Sequence, residues 1–119
     1  MYANTFKNNF TFEQRYEESS RVLNKFPDRI PIICERSLNA SKDCPYIDRK
    51  KYLVPRDLTM GQLIYVIRKR LKLSSEKALF LIVNNNILSS AQILGSAYHR
   101  YKDPDGFLYV TYTFENTFG

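Results

Sequence analysis

The 119-residue sequence predicts a single α+β domain in which a four-stranded mixed sheet packs against one helix. Three observations predict this fold. Residues 29–36 and 51–54 have the composition of two strands joined by a polar stretch, which indicates a hairpin. A helical pattern with its own cap follows the hairpin. Two further strand patterns come later, at Ala78–Val83 and Phe107–Phe114, and the last is rich in β-branched and aromatic residues.

The N-terminal part, residues 1–26, is predicted to be a helical extension of this domain. Residues 1–10 are polar and weakly patterned, so we expect them to be mobile or loosely docked. Thr11 and Gln14 fit a capping box, in which each side chain satisfies a backbone N–H of the first helical turn. The helix that begins there is expected to end before Pro27, because the residue preceding a proline avoids the helical region.

The predicted hairpin starts the core of the domain, residues 27–114. In Arg29–Arg36 side chains alternate between two faces, and Pro31 belongs near the start of the strand because it cannot donate to a ladder. The polar stretch Ser37–Asp48 is predicted to be a long connection. The second strand, Lys51–Val54, is short.

The helix after the hairpin has more apolar surface than a core-facing stripe needs. Thr59 and Gln62 fit a second capping box, and Leu63–Ile67 are five consecutive apolar residues. At about 100° per residue, such a run surrounds the helix. Part of it must therefore face something other than the core: either another segment of the chain, or a surface groove that takes an apolar ligand with acidic neighbours.

The remaining elements complete an order of helix, two strands, helix, strand, short helix and strand. Ala78–Val83 is continuously apolar, as in a strand buried on both faces. Asn84–Asn86 and Asp103–Gly106 predict turns, and a short helix is expected over Leu94–Tyr101. A hairpin followed by a helix and a returning strand is typical of the ubiquitin-like β-grasp.

Composition narrows the possible functions. The net charge of +6 and the pI near 9.4 favour acidic partners: nucleic acid, anionic lipid or acidic peptides. The start of the chain lacks a signal-peptide pattern, and no apolar run is long enough to span a bilayer.

The sequence offers little material for catalysis or metal binding. Cys34 lies in a strand pattern and is expected to be buried, whereas Cys44 lies in a polar loop and is expected to be an exposed thiol. Their spacing fits no metal or redox motif, and His99 is the only histidine. We therefore expect no enzyme activity, no metal site and no cofactor.

Several sequence blocks, in order, resemble the autophagy ubiquitin-like modifiers, the family of GABARAP and the microtubule-associated protein light chain three. The similarity runs from Phe12 to Gly119. The blocks that carry it are FPDRIPIICER (Phe26–Arg36), DRKKYLVPRDLTMGQL (Asp48–Leu63), IRKRLKL (Ile67–Leu73), FLIVNN (Phe80–Asn85), DPDGFLYVTY (Asp103–Tyr112) and TFG (Thr117–Gly119).

This resemblance implies a modifier that is joined through Gly119 to phosphatidylethanolamine on autophagosomal membranes and is otherwise cytoplasmic. Residues 115–119 would then be a flexible conjugation tail. The implied partners are ubiquitin-type activating and conjugating enzymes, a processing and delipidating cysteine protease, and cargo receptors and adaptors; nucleic acid is not among them. Glycine suits conjugation because it lacks a Cβ and can enter a narrow groove.

The resemblance also implies a binding site for peptides of the form aromatic-x-x-aliphatic with acidic neighbours, which would add a strand along Lys51–Val54. The pocket for the aromatic residue maps to Glu18, Val22, Pro31, Lys51, Leu53 and Phe107. The pocket for the aliphatic residue maps to Tyr52, Val54, Pro55, Leu58, Leu63 and Val66. The cations placed to meet acidic residues are Arg29, Arg49, Lys50 and Arg70.

Two alternatives remain open at this point. The positive charge and the many aromatic residues would also suit a small basic nucleic-acid-binding α+β domain, although no strand carries the aromatic signature of an RNA-recognition motif. A small hydrolase using Cys34 or Cys44 is the other, but the sequence shows no base partner for either thiol.

Overall fold

The structure, a computed structural model, describes residues 4–114; Gly119 and the rest of the predicted tail lie outside the described residues. The helices are α1 (Phe6–Asn9), α2 (Phe12–Lys25), α3 (Met60–Leu71) and α4 (Leu94–Tyr101). The strands are β1 (Arg29–Arg36), β2 (Lys51–Pro55), β3 (Phe80–Val83), β4 (Asn86–Ile87) and β5 (Leu108–Thr113). Among the helices of this described part, none has the length and apolar character needed to cross a membrane.

The strands form one mixed sheet in the order β2-β1-β5-β3-β4. β1 pairs antiparallel with β2 and parallel with β5, and the remaining pairs are antiparallel. The predicted ubiquitin-like architecture is confirmed, but the predicted number of four strands is wrong. Asn84 and Asn85 adopt left-handed backbone conformations, which turn the chain tightly enough for Asn86–Ile87 to pair back on β3. Two residues give no sequence periodicity by which to find this strand.

The main core lies between the inner face of the sheet and α3 and α4. Alternate residues of β1 and β5 point inward, and α3 contributes residues of one face. The fully buried side chains include Ile30, Ile32, Leu108, Val110, Met60, Leu63, Ile67 and Leu94. On α3, by contrast, Tyr65 and Val66 are exposed, so part of the apolar run does face away from the core, as predicted.

Part of the outer face of the sheet is covered by α1, and for residues 4–10 this overturns the expectation that residues 1–10 are mobile or loosely docked. Phe6 is only 3% exposed and packs with Ile33 and Phe107 in a second, smaller cluster. Its ring meets that of Phe107 edge-on at 5.3 Å, and its N–H donates to Glu35 Oε2 at 2.8 Å. These partners are distant in sequence, so a local pattern could not reveal them.

α2 is fastened to the turn before β5 by close packing at a glycine. The Ser19 hydroxyl donates to the carbonyl of Asp105 at 2.5 Å, and Arg15 pairs with the Asp105 carboxylate at 2.7 Å. Gly106 has a φ of +93°, and a Cβ there would lie 2.3 Å from Ser19 Oγ. Glycine is therefore required at this position both by the backbone conformation and by the approach of α2.

The connection between β1 and β2 folds over the core, so the expectation of an exposed Cys44 is wrong. Cys44 is 2% exposed. Arg36 holds this loop by donating to the carbonyls of Ala40, Ser41 and Cys44 at 2.8–3.1 Å. Cys34 is buried, as expected, and both residues are thiols rather than halves of a disulfide.

Candidate peptide-binding site at the edge of the sheet

β2 is an outer strand, and two hydrogen bonds determine which of its backbone groups face outward. The Cys34 N–H donates to the Lys50 carbonyl at 2.8 Å, and the Arg56 N–H donates to the Asp28 carbonyl at 3.3 Å. In an antiparallel ladder, residues that bond to the partner strand alternate with residues that do not. The even-numbered residues from 50 to 56 therefore face β1.

The outward-facing backbone groups are consequently those of Lys51, Leu53 and Pro55. Tyr52 and Val54 direct their N–H and C=O groups to β1, with Ile32 and Ile30 as register partners. Proline has no N–H, so Pro55 offers only a carbonyl. The free edge thus presents two N–H donors, at Lys51 and Leu53, before the ladder stops.

The side chains of β2 divide this edge into two flanks. Lys51 points toward α2, where its ammonium pairs with the Glu18 carboxylate at 2.8 Å, and Leu53 lies on the same face. Tyr52 and Val54 point to the other face, where they pack against the core cluster that includes α3. We call these the α2 flank and the α3 flank.

The residues assigned to the aromatic pocket are gathered on the α2 flank, but two of them are covered. Glu18 and Lys51 meet directly, and Pro31 is the register partner of Leu53. Val22 and Leu53 are half-buried. Pro31 and Phe107 are buried, and Phe6 covers the ring of Phe107.

The residues assigned to the aliphatic pocket lie on the α3 flank at different depths, except Pro55, which follows Leu53 on the α2 face of β2. Pro55 and Val66 are exposed, and Tyr52 and Leu58 are half-buried. Val54 is 8% exposed and Leu63 is fully buried. The surface of this flank is therefore made by Tyr52, Leu58 and Val66, and Leu63 supports it from the interior.

Tyr52 carries a hydroxyl that is buried without a hydrogen-bond partner within the described residues. Burial raises the pKa of Tyr52 to about 12, with a further contribution from Cys34. The hydroxyl therefore stays neutral and keeps its proton as a donor. A buried donor without an acceptor is energetically unfavourable.

Two of the four predicted cations are already engaged by the protein itself. Lys50 pairs with Glu35 at 3.0 Å, and Arg70 holds Asp48 through two nitrogens at 2.8 and 3.1 Å. The hydrogen bond from Arg70 lowers the pKa of Asp48 below its ordinary value. Arg29 and Arg49 are exposed, and within residues 4–114 neither makes an ion pair.

Sequence reasoning missed the side chains that α1 brings to the start of β2. Phe6, Asn9 and Phe10 line a cavity of about 460 Å³ together with Lys50 and Lys51. A signal was present: Thr5 caps α1 through a bond from the Asn8 N–H, and the two phenylalanines are four residues apart. Residues four apart share one face of a helix, so the sequence could have indicated a helical turn with an apolar face, though not the strands on which it docks.

Cys34 is not activated as a nucleophile. Burial, and secondarily the nearby Glu35, raises the pKa of the Cys34 thiol far above its usual range. A thiol that does not ionise is a poor nucleophile. Cys34 is therefore unsuited to act as a nucleophile, whereas the outward-facing backbone groups of β2 suit binding along a strand.

Comparison with known proteins agrees with the fold. A sequence model of the family described as "Autophagy protein Atg8 ubiquitin like" matches residues 14–119. The chain belongs to the Atg8 family of ubiquitin-like autophagy proteins. The resemblance inferred from the sequence blocks is thereby confirmed.

Individual members of the Atg8 family are similar over nearly the whole chain. The autophagy-related protein 8 of Kluyveromyces lactis is 55% identical over 114 residues, which cover 96% of this chain and 90% of that protein. The autophagy-related protein 8d of Arabidopsis thaliana is 52% identical over 119 residues, covering 100% and 98%. The crystal structure of Trypanosoma brucei ATG8 superposes with a TM-score of 0.88 at 45% identity, covering 99% of this chain and all of that one.

Proposed function

We propose that this Atg8-family protein is a modifier that is attached to phosphatidylethanolamine through Gly119 and recruits cargo receptors and adaptors to autophagosomal membranes. In this proposal the protein is cytoplasmic until it is lipidated. Receptors and adaptors would bind by adding a strand of the form aromatic-x-x-aliphatic to the edge of β2. The protein would carry out no reaction itself; activating and conjugating enzymes and a cysteine protease would attach and release it.

The observation that carries the binding part of this proposal is the free edge of β2 between two different flanks. In an extended peptide, residues three apart point to opposite faces. A peptide strand beside β2 would therefore direct its aromatic residue to one flank and its aliphatic residue to the other. The α2 flank around Lys51 and Leu53 and the α3 flank around Tyr52 and Val66 match this requirement.

The expected affinity follows from the area involved. Burying one aromatic side chain removes about 150–250 Å² from water. At roughly 25 cal/mol per Å², this contributes about 4–6 kcal/mol before ordering costs. Ordering a flexible peptide offsets a large share, which leaves an affinity on the order of micromolar. Many copies on one membrane would raise the effective strength through multivalency.

The test is a double variant of the edge, Lys51→Ala with Leu53→Ala. We expect it to weaken binding of an acidic aromatic-x-x-aliphatic peptide at least tenfold, measured by residue-resolved NMR titration. The matched control is Lys77→Ala with Ile87→Ala. It also removes one lysine of an ion pair, since Lys77 pairs with Asp43 at 2.7 Å, and one aliphatic side chain, that of Ile87 on the opposite outer strand β4. Equal affinities for the two double variants would refute the β2 site.

The conjugation part of the proposal concerns Gly119. Support comes from the family match, which extends to residue 119, and from the absence of a Cβ at glycine. Two long acyl chains at about 0.8 kcal/mol per buried CH₂ would hold the protein firmly on a membrane. The conjugation site can be tested independently of the peptide site, because Gly119 and β2 lie in different parts of the chain.

We expect deletion of Gly119, or Gly119→Ala, to abolish attachment to phosphatidylethanolamine liposomes in a reaction reconstituted with the family's conjugation enzymes. Peptide affinity and the thermal unfolding midpoint should stay unchanged. The Lys51/Leu53 double variant is the reciprocal control and should be lipidated normally. Membrane attachment of the deletion variant at the wild-type level would contradict this assignment.

A further inference from the structure

A groove between α2 and the C-terminal end of α4 belongs to neither of the proposed sites. It contains a cavity of about 350 Å³, which is lined on the α2 side by Tyr16, Ser20 and Leu23 and on the other side by Lys102 and Pro104. An open depression of about 720 Å³ shares Ser20 and Leu23 with this cavity and continues toward the end of α2. We call the two together the α2–α4 groove.

The wall that α2 contributes is a single stripe of that helix. Tyr16, Ser20 and Leu23 follow one another at intervals of four and three residues, which places them on one face. Tyr16 is 52% exposed, and its ring stacks on that of Phe12 at 5.9 Å. Leu23 is half-buried and packs against the main core. The stripe is therefore held in place by the protein and still offers aromatic and aliphatic surface to a partner.

The polar groups in the floor of the groove are bonded within the protein. The Ser19 hydroxyl donates to the Asp105 carbonyl at 2.5 Å, and the Tyr98 hydroxyl donates to the Gly106 carbonyl at 2.7 Å. α2 is a continuous helix, so its backbone groups bond along its own axis. An extended peptide would find here none of the backbone hydrogen bonds that β2 supplies, whereas a helix satisfies its own backbone. The groove therefore suits a helix better than a strand.

The rim of the groove is cationic. Lys102 is exposed at one wall, with its ammonium 5.5 Å from the ring centre of Tyr98, and Arg21 is exposed beside the open depression. Within residues 4–114, neither cation makes an ion pair. Asp103, which also lines the cavity, is already paired with Lys7 at 2.6 Å. Carboxylates of a partner would therefore meet cations that have no carboxylate of their own.

We propose that the α2–α4 groove binds an acidic amphipathic helix of a partner protein. The apolar stripe of that helix packs on Tyr16 and Leu23, and glutamates or aspartates beside the stripe reach Lys102 and Arg21. Apolar residues three and four apart on the incoming helix lie on one face and match the spacing of the α2 stripe.

The groove is separate from the edge at β2. Glu18, which pairs with Lys51 of β2, is two residues from Tyr16 and therefore points about 200° away around α2. α2 thus presents one face to the sheet edge and another to the groove. The protein can hold an extended motif and a helix at the same time, and this inference does not depend on the proposed function.

The probe is an alanine-based helical peptide that carries leucines three and four residues apart on one face and glutamates on both sides of them. One control peptide has lysine in place of every glutamate, and another has the same composition with its leucines distributed around the helix. Affinities for the full chain are measured by residue-resolved NMR titration. We expect the glutamate peptide to bind about fivefold more tightly than either control, and to shift the amide signals of Tyr16, Ser20 and Lys102.

Two pairs of variants test the residues that carry the proposal. Lys102→Glu should weaken the glutamate peptide about fivefold and strengthen the lysine peptide, whereas Lys69→Glu, at another exposed lysine 5.0 Å from a tyrosine ring, should change neither. Tyr16→Ser should weaken the glutamate peptide about threefold to tenfold, because part of its apolar contact is lost. Tyr65→Ser removes a 59% exposed ring from α3 and is the matched control, which should bind as the wild type does.

Four outcomes would overturn this inference. Equal affinities for the glutamate peptide and the peptide with distributed leucines would exclude a helix face in the groove. Competition with a saturating aromatic-x-x-aliphatic peptide would show that the groove is not a separate site. A response of the Tyr16 and Lys102 amides to phosphatidylserine vesicles, with none to the glutamate peptide, would replace the helix by a membrane surface. Shifts of these amides that grow with protein concentration alone would replace it by a second copy of the chain.

Discussion

The two outer strands of the sheet, β2 and β4, differ in how much unpaired backbone they expose. β2 has five residues and presents the N–H groups of Lys51 and Leu53, whereas β4 has only the two residues Asn86 and Ile87. β4 directly follows a turn made by left-handed asparagines, so little straight backbone is available beside it. β2 begins after a long loop and runs until Pro55, whose ring removes the next donor.

This difference shows how one sheet can be protected at one side and open at the other. An exposed edge invites pairing with other chains, and proteins limit it by shortness, charge or proline. β4 is limited by its length alone. β2 keeps enough length to pair, and its lysine and its proline restrict which strands can do so. Three measurements would sharpen or break this comparison.

The largest expected effect is on backbone amide exchange at the two edges. In the peptide-free protein, the N–H groups of Lys51 and Leu53 should exchange rapidly, and those of Tyr52 and Val54 slowly, because only the second pair bonds to β1. A saturating motif peptide should slow exchange at Lys51 and Leu53 at least tenfold, measured by NMR. Amides of β4 should not change. Slowing at Tyr52 instead would show that the inferred register is wrong.

A smaller effect is expected at Arg49, the exposed cation beside β2. Arg49→Gln should weaken an acidic motif peptide about twofold to fivefold in low salt, since an exposed charge pair contributes about 0.2–1 kcal/mol. The effect should vanish in about 1 M salt, where the Debye length is about 3 Å. Arg100→Gln, which removes an exposed arginine from α4, is the matched control and should bind as the wild type does. A loss that persists in high salt would argue against an electrostatic role.

The smallest effect is on acid stability at the border of β2. The hydrogen bond from Arg70 lowers the pKa of Asp48, so the folded state is favoured while this carboxylate is ionised. The contribution is present above the ordinary pKa of 3.8 and is lost as the pH falls through the lower folded value. The free energy of unfolding, measured with urea between pH 6 and pH 2, should therefore fall slightly less steeply toward acid for Asp48→Asn than for the wild type. Parallel curves would mean that this pair contributes nothing measurable.

Local patterns predicted most of the secondary structure. β1 has the predicted bounds, and both capping boxes, at Thr11 and at Thr59, are present. These features depend on neighbouring residues only. The two predictions of exposure that failed are an exposed Cys44 and, for the described residues 4–10, a loosely docked N-terminal segment. Their burial depends on tertiary contacts, with Arg36 for the loop and with the outer face of the sheet for Phe6.

The sequence was enough to predict which strand forms the edge of the candidate site, but not how deeply each of its residues is buried. The alternation of β2 was enough to separate Lys51 and Leu53 from Tyr52 and Val54. It could not separate a side chain that lines a pocket from one beneath it, because both are apolar and lie on the same face. Leu63 and Phe107 are of the second kind. Their depth became evident only once α3 and Phe6 were positioned.

The pairing of Lys51 with Glu18 has a consequence for how a ligand is chosen. The vacant edge already holds a carboxylate of its own, so an arriving acidic chain exchanges one counterion for another rather than meeting a bare charge. Such an exchange yields a modest net gain in binding free energy. A carboxylate of the ligand improves binding only if it interacts with Lys51 more favourably than Glu18 does. Chains whose acidic groups are less well placed than Glu18 would gain nothing from this lysine and would have to be held by their apolar side chains alone.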